Sequence, residues 1–203
     1  MKIAVYLNCG TGFAKPEEAD KTICCDGAFD SMPVRPDYFV GDGDSASAFP
    51  DDIPVLRHDS HKDFTDGESA VYFARDLGAT ELVFYGVTGG RYDHTLGNLA
   101  VMHLALDLGM SAKAVEKDCE IIGLSADATP TFRIAPGKGV TFSLVPHGGS
   151  ALITDAEGTE YPLDNLTLTP KDTRGISNVT VRDEISFNVK AGTAFLIINR
   201  PSA

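Results

Sequence analysis

Asp42 and Asp44 stand two residues apart in Val40-Gly41-Asp42-Gly43-Asp44-Ser45, with a glycine before and between them. The stretch follows Tyr38-Phe39-Val40, an apolar run that reads as the end of a buried strand. A strand that delivers two carboxylates into a Gly-bearing loop suits a hard cation, because Mg²⁺ takes oxygen ligands and draws only a few of them from protein. The glycines leave room for a bulky anion to approach the backbone. Asp and Gly also dominate ordinary turns, so these residues alone fit a surface turn equally well. The metal reading gains from other acidic groups in the same half of the chain. Asp26-Gly27-Ala28 ends a second apolar run, Thr22 to Cys25, and Arg57-His58-Asp59 follows another, Ile53 to Leu56. In open parallel sheets ligands bind at the carboxyl ends of strands, which places Asp26, Asp42, Asp44 and Asp59 along one edge.

Two further stretches carry groups suited to phosphate. In Lys62-Asp63-Phe64-Thr65-Asp66-Gly67-Glu68, Thr65 and Glu68 fit a capping box that opens a helix. Asp66 then lies in the first turn, where the helix dipole favours a negative charge, a sufficient structural reason for it. Lys62 and Asp63 lie just outside the cap. A lysine there can meet a phosphate, and a carboxylate there can hold that lysine or a metal-bound water. Thr88-Gly89-Gly90-Arg91-Tyr92-Asp93-His94-Thr95 follows the strand Glu81 to Val87. Two glycines before a helix expose backbone N–H groups to an anion, and Arg91 adds a planar, always charged fork. Asp93 or Thr95 can cap the helix, and His94 fits packing better than proton transfer.

The elements that must position these groups are legible from periodicity. Residues 2–8 are an unbroken apolar run, as in a strand buried on both faces. Pro16-Glu17-Glu18-Ala19 resembles the acidic first turn of a helix. The helix after Thr65 presents Ala70, Val71, Ala74 and Leu77 on one face and stops at Gly78, and the helix after Arg91 runs to about Leu108 before Gly109. Near residue 125 helical periodicity stops. Short alternating stretches follow around Val140, Leu166, Val179, Ile185 and Phe195. Pro136-Gly137, His147-Gly148-Gly149, Glu157-Gly158 and Lys190-Ala191-Gly192 read as the turns between them. The expectation is an α/β plus all-β chain. An N-terminal Rossmann-like, mostly parallel sheet with helices occupies residues 1–125, and a C-terminal antiparallel β-sandwich occupies residues 126–203. Val115 to Leu124 is the expected bridge. The polar stretch Thr173-Arg174-Gly175-Ile176-Ser177-Asn178 reads, by pattern alone, as a bulge or hairpin loop.

Composition narrows the function. The 203 residues carry a formal net charge of −12, which argues against a nucleic-acid or anionic-membrane surface but not against a phosphate substrate screened by a cation. Cys9, Cys24, Cys25 and Cys119 lack metal-ligand spacing and read as reduced thiols of a cytoplasmic protein. His58, His61, His103 and His147 show no paired zinc spacing. The N-terminal apolar run is too short for a signal peptide, and no run approaches membrane-spanning length.

Taken together, Asp26-Gly27-Ala28, Gly41-Asp42-Gly43-Asp44-Ser45, Lys62-Asp63-Phe64-Thr65-Asp66, Gly89-Gly90-Arg91-Tyr92-Asp93-His94-Thr95-Leu96-Gly97-Asn98-Leu99 and Gly175-Ile176-Ser177-Asn178 resemble thiamine pyrophosphokinase, in that family's order. The resemblance implies a catalytic, ATP- and Mg²⁺-binding first domain and a thiamine-binding, dimerising second domain. It also implies a homodimer with active sites between subunits, and the reaction ATP plus thiamine to thiamine diphosphate plus AMP. By motif, Asp42, Asp44 and Asp66 look like the Mg²⁺ carboxylates. Asp63 and Lys62 would line the triphosphate path, with Asp26, Gly27, Thr65, Gly89 and Gly90 contacting nucleotide and Arg91 contacting phosphate. Asp93, with His94 beside it, looks like the group holding the thiamine pyrimidine. Ser177 and Asn178 look like the second domain's contribution. The chain departs from the family at Phe29-Asp30, where Asn is frequent, and in having no Trp to stack on thiamine.

The residues themselves agree with in-line attack of an alcohol on the β-phosphorus, which needs positioning and charge neutralisation more than covalent protein chemistry. No convincing nucleophile is present, and Asp63 or a metal-bound hydroxide is the candidate base. Three rivals use the same groups: a diphosphokinase for another heteroaromatic alcohol such as a hydroxymethyl pterin, a metal-dependent phosphohydrolase, and a non-catalytic nucleotide or thiamine sensor.

Overall fold

The computed structural model describes residues 1–8, 12–43, 52–57 and 63–200. Asp44, Asp59 and Lys62, with Cys9, His58 and His61, lie outside the described residues. The chain divides into two compact units, Met1–Lys117 and Asp118–Ala203.

Among its described residues the first unit holds six parallel strands, β1 (Lys2–Tyr6), β2 (Lys21–Cys25), β3 (Tyr38–Gly41), β4 (Val55–Arg57), β5 (Glu81–Tyr85) and β6 (Ser111–Val115). Their order across the sheet is β4-β3-β2-β1-β5-β6. The chain therefore steps outward in one direction from β1 to β4, then resumes on the other side of β1 with β5. That reversal leaves a crevice at the carboxyl ends of β1 and β5. Ala4, Tyr6, Val83 and Tyr85 alternate with Ile3, Val5, Leu82 and Phe84, and all are buried. Both faces of the sheet are therefore covered, the reason its strands read as continuous apolar runs. The two adjacent cysteines of β2 are buried as small hydrophobes.

Two helices follow the sequence pattern closely. α1 (Asp66–Asp76) starts at Thr65, whose Oγ1 accepts a hydrogen bond from the Glu68 N–H at 3.2 Å. It buries Ala70, Val71 and Ala74 and ends before Gly78, whose φ of 86° is the left-handed conformation that glycine adopts freely. α1 packs on β1, β2 and β3, and α2 (Tyr92–Asp107) packs on α1 and β6. The N-cap of α2 is Arg91, not Asp93 or Thr95 as expected, and the Arg91 side chain makes no capping bond. No helix forms at 16–19. Glu17 is instead drawn onto the sheet: its carboxylate accepts from Lys113 Nζ at 2.7 and 3.0 Å and from Lys2 Nζ at 3.1 Å, and its N–H donates to the Tyr85 hydroxyl at 2.7 Å.

In the second unit the strands are β7 (Cys119–Ser125), β8 (Thr131–Ile134), β9 (Thr141–Glu157), β10 (Leu166–Leu168), β11 (Asn178–Val179) and β12 (Ile185–Asn199), and every pairing among them is antiparallel. Cys119–Ser125, expected as a bridge inside a domain ending at 125, pairs with Thr193–Asn199 of β12, so the division of the chain falls at 117/118 instead. His147-Gly148-Gly149 and Lys190-Ala191-Gly192, read as turns, are irregularities inside single long strands, β9 and β12. The register slips between Val189 and Thr193, where Gly192 has φ 73° and the Ser150 carbonyl oxygen sits 2.0 Å from where a Cβ would be. Glycine here marks a bulge and a close backbone approach rather than a chain reversal. Leu144, Ala151, Ile153, Phe187, Val189 and Leu196 form the centre of this unit's core.

Gly175 meets the same constraint. Its carbonyl accepts the Leu144 N–H at 2.8 Å, and an added Cβ would lie 2.0 Å from the Leu144 carbonyl oxygen. Gly175→Ala is therefore expected to push residues 173–178 off β9 and destabilise this unit by about 1–3 kcal/mol, read as a lower denaturation midpoint. Among the described residues no helix is long and apolar enough to cross a membrane.

Candidate functional site

A cleft of about 490 Å³ opens in the first unit. Its lining comes from the ends of β1, β2 and β3 and from the first turns of both helices: Asn8, Asp26, Asp42, Asp66, Arg91 and Asp93 supply its polar groups, with Thr65 and His94 beside them. These segments are far apart in sequence and meet because each follows a parallel strand on the same edge, at the point where strand order reverses.

Asp26 is the buried member of the set, 5% exposed, with φ 40°. The left-handed conformation is costly for most residues and is tolerated best by Asn and Asp. The neighbouring strand end makes room for it: Gly41 has φ 153°, and a Cβ built there would stand 2.9 Å from the Asp26 Cβ. Asp42 follows directly and is half-buried. Asp66 occupies the first turn of α1, where the unsatisfied N–H groups favour an anion.

Arg91 and Asp93 face each other across the start of α2. Arg91 Nε donates to Asp93 Oδ1 at 3.1 Å and Nη2 donates to Oδ2 at 2.5 Å, a fork closed on both oxygens. Asp93 Oδ1 also accepts from the His94 N–H at 3.0 Å. The hydrogen bond from Arg91 holds the Asp93 carboxyl below the usual carboxylate range, and the same bond raises the Arg91 guanidinium.

Of the residues singled out in the sequence, Asp26, Asp42, Thr65, Asp66, Arg91, Asp93 and His94 share this cleft. Gly27, Asp63, Gly89 and Gly90 are not part of its lining. Gly67, in its place, lies against the Leu7 side chain, 3.0 Å from the position of an added Cβ. Asn8, Gly67, Gly97 and Asn98 line the cleft without having been singled out as site residues. The signal for Asn8 was its place at the end of a buried strand.

Ser177 and Asn178 belong to the second unit. Ser177 is exposed, with φ 58°, and its N–H donates to Ser143 Oγ at 3.0 Å. Asn178 is 1% exposed. Its Oδ1 accepts from the N–H groups of Tyr161 and Val179 at 3.1 and 2.8 Å, and its Nδ2 donates to the Tyr161 carbonyl at 2.9 Å. Asn178 therefore braces the Tyr161 segment, and Ser177 is the member of the pair that solvent can reach.

Residues 15–113 match the family model "Thiamin pyrophosphokinase, catalytic domain", and residues 131–194 match "Thiamin pyrophosphokinase, vitamin B1 binding domain". Among characterised relatives, Thiamine pyrophosphokinase of Bacillus subtilis is 24% identical over 145 residues, covering 71% of this chain and 67% of the relative. Thiamine pyrophosphokinase 3 of Oryza sativa is 28% identical over 201 residues, covering 83% and 73%. In structure, the chain superposes on the crystal structure of the Bacillus subtilis thiamine pyrophosphokinase with a TM-score of 0.82 at 20% identity, over 100% of both chains. On the yeast enzyme the TM-score is 0.71 at 14% identity, over 98% of this chain and 85% of the other. Two domain models of one family, matched in order along the chain, together with this likeness of fold, show that the chain belongs to the thiamine pyrophosphokinase family.

Proposed function

We propose that this protein transfers the pyrophosphoryl group of ATP to the hydroxyl of thiamine, giving thiamine diphosphate and AMP, in the cleft of its first unit. The observation that carries the reading is the meeting of Asp26, Asp42 and Asp66 with Arg91 in one cleft at the strand-order reversal. Carboxylates in such a cleft repel a triphosphate unless a cation intervenes. The donor set is all oxygen, which fits Mg²⁺. Asp42 and Asp66 would hold such an ion, with Asp44 as a further candidate. When bound, Mg²⁺ offsets phosphate charge and aligns the attacked phosphorus.

The chain's own groups supply the rest. Arg91 presents a fork to a phosphate oxygen pair, and Asp93 accepts from a donor on the thiamine ring. The thiamine hydroxyl gives up its proton to water at the open cleft as its oxygen bonds to the β-phosphorus, the bond from that phosphorus to the α–β bridging oxygen breaks, and AMP departs with the electron pair. Positioning of this kind tolerates little displacement. Gly41→Ala, which sets a methyl against Asp26, is therefore expected to lower kcat by about 10- to 100-fold, measured as AMP release beside a melting curve that shows the protein folded.

The same reading makes the protein a cytoplasmic homodimer, with Ser177 a substrate-binding residue. Tyr92 and Leu96 on α2, 89% and 68% exposed, support a covering surface on the helix that opens the cleft. The decisive experiment is incubation with ATP, Mg²⁺ and thiamine, with AMP and thiamine diphosphate separated by chromatography. One AMP per thiamine diphosphate is expected. AMP release without any acceptor would indicate a hydrolase, and a faster reaction with a hydroxymethyl pterin would reassign the alcohol.

A further inference from the structure

The segment that leaves β5 carries Gly86, Gly89 and Gly90, with φ of 77° at Gly86 and 91° at Gly89. A stretch so rich in glycine has many conformations to lose, at about 1–2 kcal/mol of backbone entropy per residue fixed. It ends on Arg91 and Asp93, two charged groups at the start of α2 that line the cleft. Something must fix it. Glu116, just beyond β6, is 7% exposed, and its Oε1 accepts the Val87 N–H at 2.7 Å and the Thr88 N–H at 3.4 Å. From the other side, Asn98 Nδ2 donates to the Gly86 carbonyl at 3.4 Å and the Val87 carbonyl at 3.2 Å. Asn98 stands on the helix that begins with Arg91, so its bonds tie the segment to that helix's own second turn.

We propose that Glu116 and Asn98 are positioning residues that grip Gly86–Thr88 from two sides and hold Arg91 and Asp93 at the cleft, a role that rests on the pyrophosphoryl-transfer reading. Burying a carboxylate is costly unless donors replace its water, and two backbone N–H groups on one oxygen do so. A charged acceptor also makes each bond about twice as strong as a neutral one. Glu116 is not part of the cleft lining, and the Asn98 amide, at the cleft wall, is spent on these two carbonyls. Each takes the backbone polar groups that a helix or a strand would otherwise satisfy, donors for Glu116 and acceptors for Asn98, so the grip is on the peptide path and not on any one side chain.

The test pairs hydrogen exchange with kinetics in Glu116→Ala, Glu116→Gln, Asn98→Ala and the double alanine variant. Glu116→Ala should speed amide exchange across 86–92 by about ten-fold or more and lower kcat/KM by about 10- to 100-fold. Glu116→Gln, whose amide oxygen accepts the same two N–H groups, should recover most of both losses. Asn98→Ala, a substitution that favours helix, should act in the same direction, and the double variant should lose less than the product of the singles. Unchanged exchange in the alanine variants overturns the proposal, as does faster exchange with unaltered kcat and KM, or a Gln variant no better than Ala. Failure of the unaltered protein to convert ATP and thiamine would remove the reaction instead, with the exchange result still standing.

Discussion

Asp42→Asn combined with Asp66→Asn is expected to lower transfer to thiamine by about a thousand-fold or more, while the protein melts within a few degrees of its usual temperature. Both carboxylates line the cleft. Asparagine keeps the shape and one oxygen of each but removes the charge, and so should weaken the hold on a divalent cation. About 4 kcal/mol of transition-state charge stabilisation is at stake, which corresponds to three orders of magnitude in rate. Stability should move little. Asp42 is half-buried at a strand end, and Asp66, also half-buried, contributes to α1 through the dipole, worth about 0.3–1 kcal/mol. AMP release, with circular dichroism as the control on folding, reads the first effect. Titration calorimetry with a non-hydrolysable ATP analogue, with and without Mg²⁺, reads its cause. Turnover near the unaltered rate in the double variant would remove the cation from these residues. A chelator in excess over Mg²⁺ should reproduce the loss in the unaltered protein, reversed on adding Mg²⁺ back.

The site was legible where its groups are named by what precedes them in the chain. A buried strand followed by Asp, or a Thr-x-x-Glu box before an apolar period, fixes position locally, and Asp26, Asp42 and Asp66 fell where that logic puts them. Glu116 was invisible for the opposite reason. Its partners are backbone N–H groups 28 and 29 residues away, and no side-chain pattern marks them. The N–H groups just ahead of Gly89 and Gly90, at Val87 and Thr88, belong to that carboxylate. Glu17 misled because its carboxylate is held by Lys2 and Lys113, residues of two strands that no local pattern links to it. In the second unit, Gly-bearing turn signals inside β9 and β12 proved to be bulges, since a glycine that lets two backbones approach looks the same in sequence as one that reverses the chain. The parallel sheet and its two helices followed from period and caps. The substrate followed from the resemblance of five motifs to one family, and not from any property of a single motif.

Arg91→Ala should reduce kcat/KM for ATP by about 100- to 1,000-fold, with Arg91→Lys recovering only part of it. The guanidinium's planar fork is already closed on the two oxygens of Asp93, the geometry it would offer to a pair of phosphate oxygens. An ammonium can match the charge but not the fork. The loss expected is that of a cation placed at a developing phosphate charge. The pair is exposed, so folding should not depend on it. Asp93→Asn separates the two roles. It should raise KM for thiamine by about ten-fold or more, while ATP binding is kept or tightened because Arg91 no longer has to leave a neighbouring anion. The acid–base behaviour checks the geometry independently. Arg91 holds the Asp93 carboxyl below its usual range, so the pair is intact above the ordinary carboxylate value near 3.9 and is lost as pH falls through the depressed one. In Arg91→Ala the Asp93 carboxyl should titrate upward toward that ordinary value, followed by carboxyl-carbon NMR. If Asp93 titrates identically in both proteins, or if Arg91→Lys is as active as the unaltered enzyme, the fork is not what the phosphate meets.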